Sequence, residues 1–261
     1  MHNSPQALFI DIDETLTSHR EGPFEEDIRE IERAREAGHR VYLNTGRSLG
    51  NIPAELQRAP WIDGIVAGGG AHIVLAGKTF YHKWAPEAAL LAISAYYLAD
   101  ELGRRDKWCV FEGETDLYQI HWERDYETPF KAITKADDFS TTYKGALITK
   151  MTIAGDITED EQRLLGDTFQ LIPQKRYFEG IIRGESKARG MELILKETGI
   201  DRENSIAIGD SANDIEMLRY AGFSIAMGNA KEEVKAIADA ITTDCGKGGV
   251  GAAIRTYVLS R

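Results

Sequence analysis

The stretch Leu8-Phe9-Ile10-Asp11-Ile12-Asp13-Glu14-Thr15 decides how the chain begins to fold. Its apolar residues 8–10 predict a buried strand that ends at Asp11. In extended backbone, side chains two residues apart point to the same side, so Asp11 and Asp13 would face one pocket. Open α/β sheets bind their ligands at this carboxyl end of their strands. Because two close carboxylates repel each other, the pair predicts a bound cation or a shared proton between them.

Strand and helix patterns alternate on both sides of the chain. After the first strand, an amphipathic helix pattern over 24–34 leads to short apolar runs at 41–43 and 64–67. The same alternation returns from Lys187, and a further buried strand is predicted at 205–209. Repeated strand–helix–strand order favours parallel pairing. We therefore predict an α/β fold with a Rossmann-like, doubly wound parallel core.

The middle of the chain follows a different pattern. Polar and apolar residues alternate over Tyr118–Trp122 and Leu147–Ile153, as in antiparallel strands that have one solvated face. We predict that residues 82–183 form an inserted α+β domain. Residues 1–81 and 184–261 would together form the core.

Composition limits the classes of partner and the cellular setting. Lysine and arginine number 31 against 42 aspartate and glutamate, a net charge of −11, which argues against nucleic acid and anionic membranes. A small anionic substrate stays possible, because a metal or a few basic residues can reverse the charge locally. Cys109 and Cys245 form neither a ligand cluster nor a disulfide framework, and residues 1–5 lack a signal-peptide pattern. We expect a cytoplasmic protein; its oligomeric state is not indicated.

Four polar clusters follow predicted strands or begin predicted helices. They are Asp11 with Asp13 and Thr15; Thr45 with Gly46 and Arg47; Lys187; and Gly209–Asp214, which includes Asp210 and Asn213. The carboxyl ends of parallel strands share one edge of a sheet, so these clusters can converge. Carboxylate and hydroxyl oxygens without thiolates favour Mg²⁺ over zinc.

Such a set of groups suits phosphoryl transfer. A phosphate dianion repels nucleophiles, so positive charge has to surround it. Mg²⁺ and Lys187 could supply that charge, while Thr15, Thr45 and loop amides could hold the phosphate oxygens. One carboxylate could attack phosphorus, and a second could protonate the leaving oxygen and later deprotonate water.

In order and spacing, these motifs resemble those of the haloacid dehalogenase superfamily. The resemblance is carried by Asp11-x-Asp13-x-Thr15, Thr45-Gly46-Arg47, Lys187 and Gly209-Asp210-x-x-Asn213-Asp214. The long insertion resembles the large α/β cap of the Cof-type branch, and the tail motifs Ala226–Ala230 and Gly248–Val250 are also similar to that branch. The likeness covers residues 8–75 and 178–255.

The resemblance implies a Mg²⁺-dependent phosphatase that acts on a small phosphorylated metabolite, with sugar phosphates as the expected class. Asp11 would be the nucleophile that forms an aspartyl-phosphate, and Asp13 the general acid and base. The implied metal site comprises Asp11, Asp13 through its backbone carbonyl, Asp210, and Asp214 through the water shell. The implied phosphate site comprises Thr15, Thr45, Gly46, Lys187 and Asn213. The inserted domain would act as a cap that selects the substrate.

The sequence departs from the family pattern at two positions. Glu14 stands where many relatives carry glycine, and it adds negative charge near the site unless it points away. Gly69 stands where the branch usually carries asparagine. Neither change removes an implied catalytic group, but Gly69 removes a polar side chain from its turn.

Other interpretations remain open at this point. A phosphotransferase or phosphomutase on the same core would pass the group to a sugar hydroxyl, and a non-catalytic sensor would only bind a sugar phosphate. Binding alone needs no nucleophile, so Asp11 with Asp13 favours an enzyme. Asp210 and Asp214 could simply cap a helix, and Thr45 and Arg47 could be ordinary turn or surface residues. Lys187 is the first residue of a predicted helix, where the helix dipole disfavours a cation. This position indicates a functional role for Lys187 rather than a role in stabilising the helix.

Overall fold

The computed structural model describes residues 4–18, 22–99, 107–121 and 130–260. The chain divides into two compact units. The first comprises Met1–Gly46, Arg58–Phe80 and Ser186–Arg261, and the second comprises Arg47–Gln57 and Tyr81–Glu185. The short segment 47–57 therefore belongs to the second unit, although in sequence it separates two stretches of the first.

An eight-stranded sheet organises the first unit. Its strands are β1 (Ala7–Ile10), β2 (Arg40–Asn44), β3 (Gly64–Ala67), β4 (His72–Leu75), β5 (Lys78–His82), β12 (Ser205–Gly209), β13 (Phe223–Ala226) and β14 (Ala240–Ile241). Their spatial order is β14-β13-β12-β1-β2-β3-β4-β5. The six strands from β14 to β3 in that order pair in parallel. The predicted α/β core with parallel strands is confirmed.

The sheet departs from a purely parallel arrangement after β3. Strand β4 pairs with β3 in the antiparallel sense, because the chain reverses at Gly68–Gly70. All three glycines have positive φ, at 60°, 60° and 103°, a conformation that side chains with a Cβ rarely adopt. The reversal therefore depends on a run of glycines that sequence patterns alone mark only as a turn.

Helices pack beside both sheets. They are α1 (Glu25–Glu36), α2 (Ala54–Gln57), α3 (Glu87–Leu98), α4 (Glu159–Gly166), α5 (Lys187–Thr198), α6 (Ile215–Tyr220), α7 (Glu232–Lys235) and α8 (Gly249–Tyr257). Gly38 follows the end of α1 and Gly199 the end of α5, and both glycines have a positive φ, which is typical of a helix C-terminus. Among the described residues, no helix combines the length and apolar character that crossing a bilayer requires.

A six-stranded sheet organises the second unit. Its strands are β6 (Cys109–Gly113), β7 (Leu117–Ile120), β8 (Lys131–Ala132), β9 (Ile148–Ala154), β10 (Phe169–Pro173) and β11 (Tyr177–Ile182). The order is β10-β11-β9-β6-β7-β8, antiparallel except between β7 and β8. Both predicted alternating stretches fall on strands, although Trp122 lies outside the described residues.

One expectation for this sheet is wrong. The polar face is not fully solvated, because Glu112 and Lys150 lie opposite each other in the strand register and are only 4% and 6% exposed. Their opposite charges and further hydrogen bonds allow burial that neither side chain would tolerate alone.

Candidate active site

Strand β1 delivers Asp11 to the edge of the core sheet. Residues 7–10 are fully buried, and the backbone N–H of Asp11 still donates to the carbonyl of Ile208 at 3.0 Å. Asp11 is itself only 3% exposed, and its Oδ1 lies 2.6 Å from the Nζ of Lys187. Two residues 176 positions apart thus form a buried ion pair.

Three contacts fix the backbone at Lys187, the first residue of α5. The side chain of Ser186 caps the helix by accepting from the N–H of Arg189 at 3.1 Å. The amide Nδ2 of Asn44 donates to the carbonyl of Lys187 at 3.1 Å. A Cβ on Gly70 would lie 2.2 Å from the carbonyl oxygen of Ser186, so only glycine lets this turn approach so closely. The backbone from which the Lys187 side chain extends is therefore fixed by three separate contacts.

Asp214 joins Lys187 to the loop after β12. Its Oδ1 lies 2.5 Å from the Nζ of Lys187, and its Oδ2 accepts from the N–H groups of Asp210 and Ser211, both at 3.0 Å. A Cβ on Gly209 would lie 2.6 Å from the Asp214 Cγ, so this position also needs glycine. The contact with Lys187 shows that Asp214 does more than cap the following helix.

Asp210 completes a cluster of three carboxylates. Oxygens of Asp11, Asp210 and Asp214 all lie within 4.8 Å of one another, and the hydroxyl of Thr15 donates to the Oδ1 of Asp210 at 3.2 Å. Three ionised carboxylates beside one ammonium would leave an excess of negative charge. Hard oxygen donors and this excess charge fit a divalent cation such as Mg²⁺.

Burial and the closeness of these charged groups shift the pKa values of Asp11, Asp210 and Lys187. Burial raises the pKa of Asp11 well above its usual range; the charge of Asp214 adds to the rise, and Lys187 only partly opposes it. Burial and the charge of Asp214 raise the pKa of Asp210 to about 6. Burial lowers the pKa of Lys187, but Asp11 and Asp214 more than offset this, so its pKa is raised overall. Lys187 therefore stays charged at neutral pH.

The remaining predicted residues lie around this cluster. The side chain of Asn213 accepts from Lys187 Nζ at 3.3 Å, and its Nδ2 would lie 3.6 Å from a Cβ on Gly46. Thr45 is 1% exposed, with its N–H donating to the carbonyl of Val66 at 2.8 Å. Asp13 is half-buried and its charge contributes to the raised pKa of Asp11. The side chain of Asp13 is not a member of the carboxylate cluster among the described residues.

Three supporting residues were assigned no role from the sequence, although two of them lie within motifs identified there. Asn44 is fully buried and tethers Lys187, and its only sequence signal is a polar residue at the end of an apolar strand. Ser211 donates through its hydroxyl to the Oδ1 of Asn213 at 2.8 Å. Asn229, within a tail motif, accepts from the N–H of Cys245 at 2.7 Å and so joins two loops.

Both departures from the family pattern lie at left-handed positions. Glu14 has a φ of 56°, which explains why glycine suits this position. Gly69 has a φ of 60°, and glycine and asparagine are the residues that most readily adopt such a conformation. The backbone N–H of Gly69 donates to the carbonyl of Thr45 at 3.1 Å, so the turn keeps a bond that needs no side chain.

Known proteins with similar sequences and structures identify the family to which the chain belongs. The sequence matches the haloacid dehalogenase-like hydrolase family over residues 8–254. The chain belongs to this family. The match to the haloacid dehalogenase-like hydrolases covers nearly the whole chain, including the second unit.

Individual relatives extend the match. The 5-amino-6-(5-phospho-D-ribitylamino)uracil phosphatase YitU of Bacillus subtilis (strain 168) is 26% identical over 275 residues, with 98% of this chain and 99% of the relative covered. The solved structure of the subclass IIB sugar phosphatase BT4131 has a TM-score of 0.79 at 27% identity, covering 97% of this chain and 98% of that one. A haloacid dehalogenase-like hydrolase from Bacteroides thetaiotaomicron gives 0.78 at 25% identity, covering 97% and 99%. The chain is a phosphatase of the haloacid dehalogenase-like family.

Proposed function

We propose that this phosphatase hydrolyses small phosphorylated metabolites, with sugar phosphates as the substrate class, through a phosphoryl group carried transiently on Asp11. One observation carries the proposal: the buried Asp11 carboxylate lies against Lys187, with Asp210 and Asp214 close enough to share a cation. The sugar-phosphate class is supported by the names of two similar proteins, one a sugar phosphatase and the other acting on a phosphorylated ribityl compound.

In the first step, the carboxylate of Asp11 attacks phosphorus, and the bond from phosphorus to the ester oxygen breaks. Asp13 donates its proton to the departing oxygen, which leaves as an alcohol. In the second step, Asp13 takes a proton from water as that water attacks phosphorus. Inorganic phosphate leaves, Asp11 regains its carboxylate, and Asp13 is again protonated.

Electrostatics explains why the other residues would be needed. Lys187 supplies fixed positive charge beside the nucleophile, and Asp214 holds that ammonium in place. Thr15, Thr45, Gly46 and Asn213 would bind the phosphoryl oxygens. Asp11, Asp13 through its carbonyl, Asp210 and, through water, Asp214 would hold Mg²⁺. The ion, when bound, neutralises charge on the phosphoryl group.

The second unit is the part of the chain to which we assign substrate selectivity. We propose that residues 82–183 act as the cap domain that discriminates among substrates. Loops of such a domain need contribute only a few kcal/mol to separate related substrates. In this proposal, residues 82–183 determine which compound is the substrate. The first unit carries out the phosphoryl chemistry.

Phosphate release from p-nitrophenyl phosphate, with Mg²⁺ or with a chelator, tests the proposal. Wild-type protein should release phosphate only with the metal, and Asp11→Asn should lose at least 10³-fold in kcat while keeping its melting temperature within a few degrees. Hydroxylamine should trap the phosphorylated Asp11 carboxylate during turnover. A folded Asp11→Asn variant with substantial activity would contradict the assignment of the nucleophile.

A further inference from the structure

Within the second unit, a buried carboxylate anchors the segment 47–57 to the six-stranded sheet. Glu112, the fourth of the five residues of β6, is 4% exposed. Its Oε2 accepts from the hydroxyl of Ser48 at 3.3 Å and from the Nδ2 of Asn51 at 3.2 Å. Its Oε1 accepts from the hydroxyl of Thr152 at 3.0 Å. One side chain thus binds two residues of the segment and one residue of the neighbouring strand.

Close packing strengthens this anchor. A Cβ on Gly50 would lie 2.9 Å from the carbonyl oxygen of Gly113 and 3.0 Å from the carbonyl carbon of Thr115. The turn at 48–51 therefore lies directly against the backbone that follows β6. Only glycine fits there without displacing main-chain atoms.

The segment is also braced internally. Arg47 donates from Nη1 to the carbonyl of Asn51 at 3.1 Å. The side-chain amide of Gln57 donates to the carbonyls of Leu49 and Ile52, at 3.0 and 2.8 Å. A displacement at the Glu112 anchor would therefore be transmitted along the segment rather than absorbed at one residue.

The anchored segment directly follows two residues of the proposed phosphate site. Residue 47 follows Gly46 directly, so the chain passes from the first unit to the second immediately after the pair Thr45–Gly46. Under the proposed function, this pair binds the phosphoryl group. Thr45 is hydrogen-bonded within the core, from its N–H to the carbonyl of Val66 and from the N–H of Gly69 to its carbonyl, and the anchored segment begins one residue after Gly46.

We propose that Glu112 is a positioning residue for phosphate binding, acting through the turn 48–51 on Thr45 and Gly46. The inference rests on the proposed function and extends it to a side chain in the second unit. Loss of the anchor should weaken binding of the phosphate group itself. It should therefore raise KM and the inhibition constant of inorganic phosphate together.

Glu179 offers a matched control. Its Oε1 lies 2.8 Å from the Nζ of Lys150, while Glu112 Oε1 lies 3.7 Å from the same nitrogen. The other oxygen of Glu179 accepts from Gln174. No hydrogen bond or ion pair of Glu179 within the described chain reaches residues 48–51. Glu179→Gln therefore makes the same charge change beside the same lysine while leaving the anchor intact.

The experiment compares Glu112→Gln, Glu179→Gln and wild type by melting temperature, by KM and kcat for p-nitrophenyl phosphate, and by inhibition with inorganic phosphate. Glu112→Gln should raise KM and the phosphate inhibition constant at least tenfold, and Glu179→Gln less than twofold. Equal changes in both variants, or an unchanged inhibition constant in Glu112→Gln, would overturn the proposal.

Asn51→Ala keeps Glu112 and Lys150 and removes one donor of the anchor, so it covers the case in which Glu112→Gln does not fold. It should raise the phosphate inhibition constant at least threefold, and an unchanged value would again contradict the proposal. Failure of the proposed function itself would look different, because wild-type protein would then release no phosphate or Asp11→Asn would remain active.

Discussion

The side-chain amide of Asn229 donates a 2.8 Å hydrogen bond to the backbone carbonyl of Glu14, 215 positions earlier in the chain. This bond helps to hold the loop that follows Asp11 in a conformation with a φ of 56° at Glu14. The backbone N–H of Glu14 also donates to the carbonyl of Thr17 at 2.7 Å. A residue with a Cβ is thus kept where glycine is favoured, at a cost of about 1 kcal/mol.

Glu14→Gly should relieve this strain and remove a negative charge near the carboxylate cluster. We expect the free energy of unfolding to rise by up to about 1 kcal/mol. The backbone strain that is relieved should exceed the cost of the greater conformational entropy that glycine gives the unfolded chain. Chemical denaturation measures the change, and Glu14→Ala, which keeps the Cβ, is the control. A glycine variant less stable than the alanine variant would contradict the strain argument.

Gly70→Ala should displace the start of α5 and with it Lys187. The added Cβ would meet the carbonyl of Ser186 at 2.2 Å, and Gly70 has a φ of 103°. Gly38→Ala is the control, since Gly38 has a φ of 94° but nothing lies within 4 Å of its added Cβ. Both variants should lose about 1 kcal/mol from backbone strain. Only Gly70→Ala should also lose tenfold or more in kcat, and equal kcat values would contradict the contact argument.

Lys187→Met should separate metal affinity from catalysis. Removing the ammonium leaves Asp11 and Asp214 without their common partner, so the cluster becomes more negative and should bind Mg²⁺ more tightly. The same change removes positive charge from the proposed phosphoryl site, and kcat should fall 10²-fold or more. Titration calorimetry with Mg²⁺ and steady-state kinetics measure the two effects. Weaker Mg²⁺ binding in a folded variant would be inconsistent with the charge balance described above.

Stability of the metal-free protein should depend on pH through Asp210. Its pKa rises from 3.8 to about 6 on folding, so the folded state holds the proton more tightly than the unfolded state. This contribution is present below pH 4 and is lost as pH rises towards 6; its size is on the order of 3 kcal/mol. In the presence of a chelator, Asp210→Asn should therefore show a smaller loss of melting temperature between pH 4.5 and 6.5 than wild type. Parallel curves would contradict this origin of the pH dependence.

Local patterns were sufficient to predict the core and the positions of its polar clusters. An apolar run followed by acid, as at Asp11, specifies a buried strand and its end without help from distant residues. The same holds for β12 and the loop that carries Asp210. Parallel order then brings these strand ends to one edge, so their neighbourhood follows from topology.

Features that depend on distant partners could not be predicted. The importance of Asn44 comes from Lys187, 143 positions away, and nothing near Asn44 in sequence indicates it. The reversal before β4 depends on the sign of φ at consecutive glycines. Burial of Lys150 depends on Glu112 and Glu179, which reach it only through strand pairing.

The membership of residues 47–57 in the second unit limits how this protein can be recombined with its relatives. The chain crosses from one unit to the other four times, after residues 46, 57, 80 and 185. A chimaera that exchanges only residues 81–185 would leave the turn at Gly50 facing foreign backbone, and it should express poorly or bind phosphate weakly. Exchange of the second unit between family members should therefore keep phosphate binding intact only when residues 47–57 are transferred together with residues 81–185.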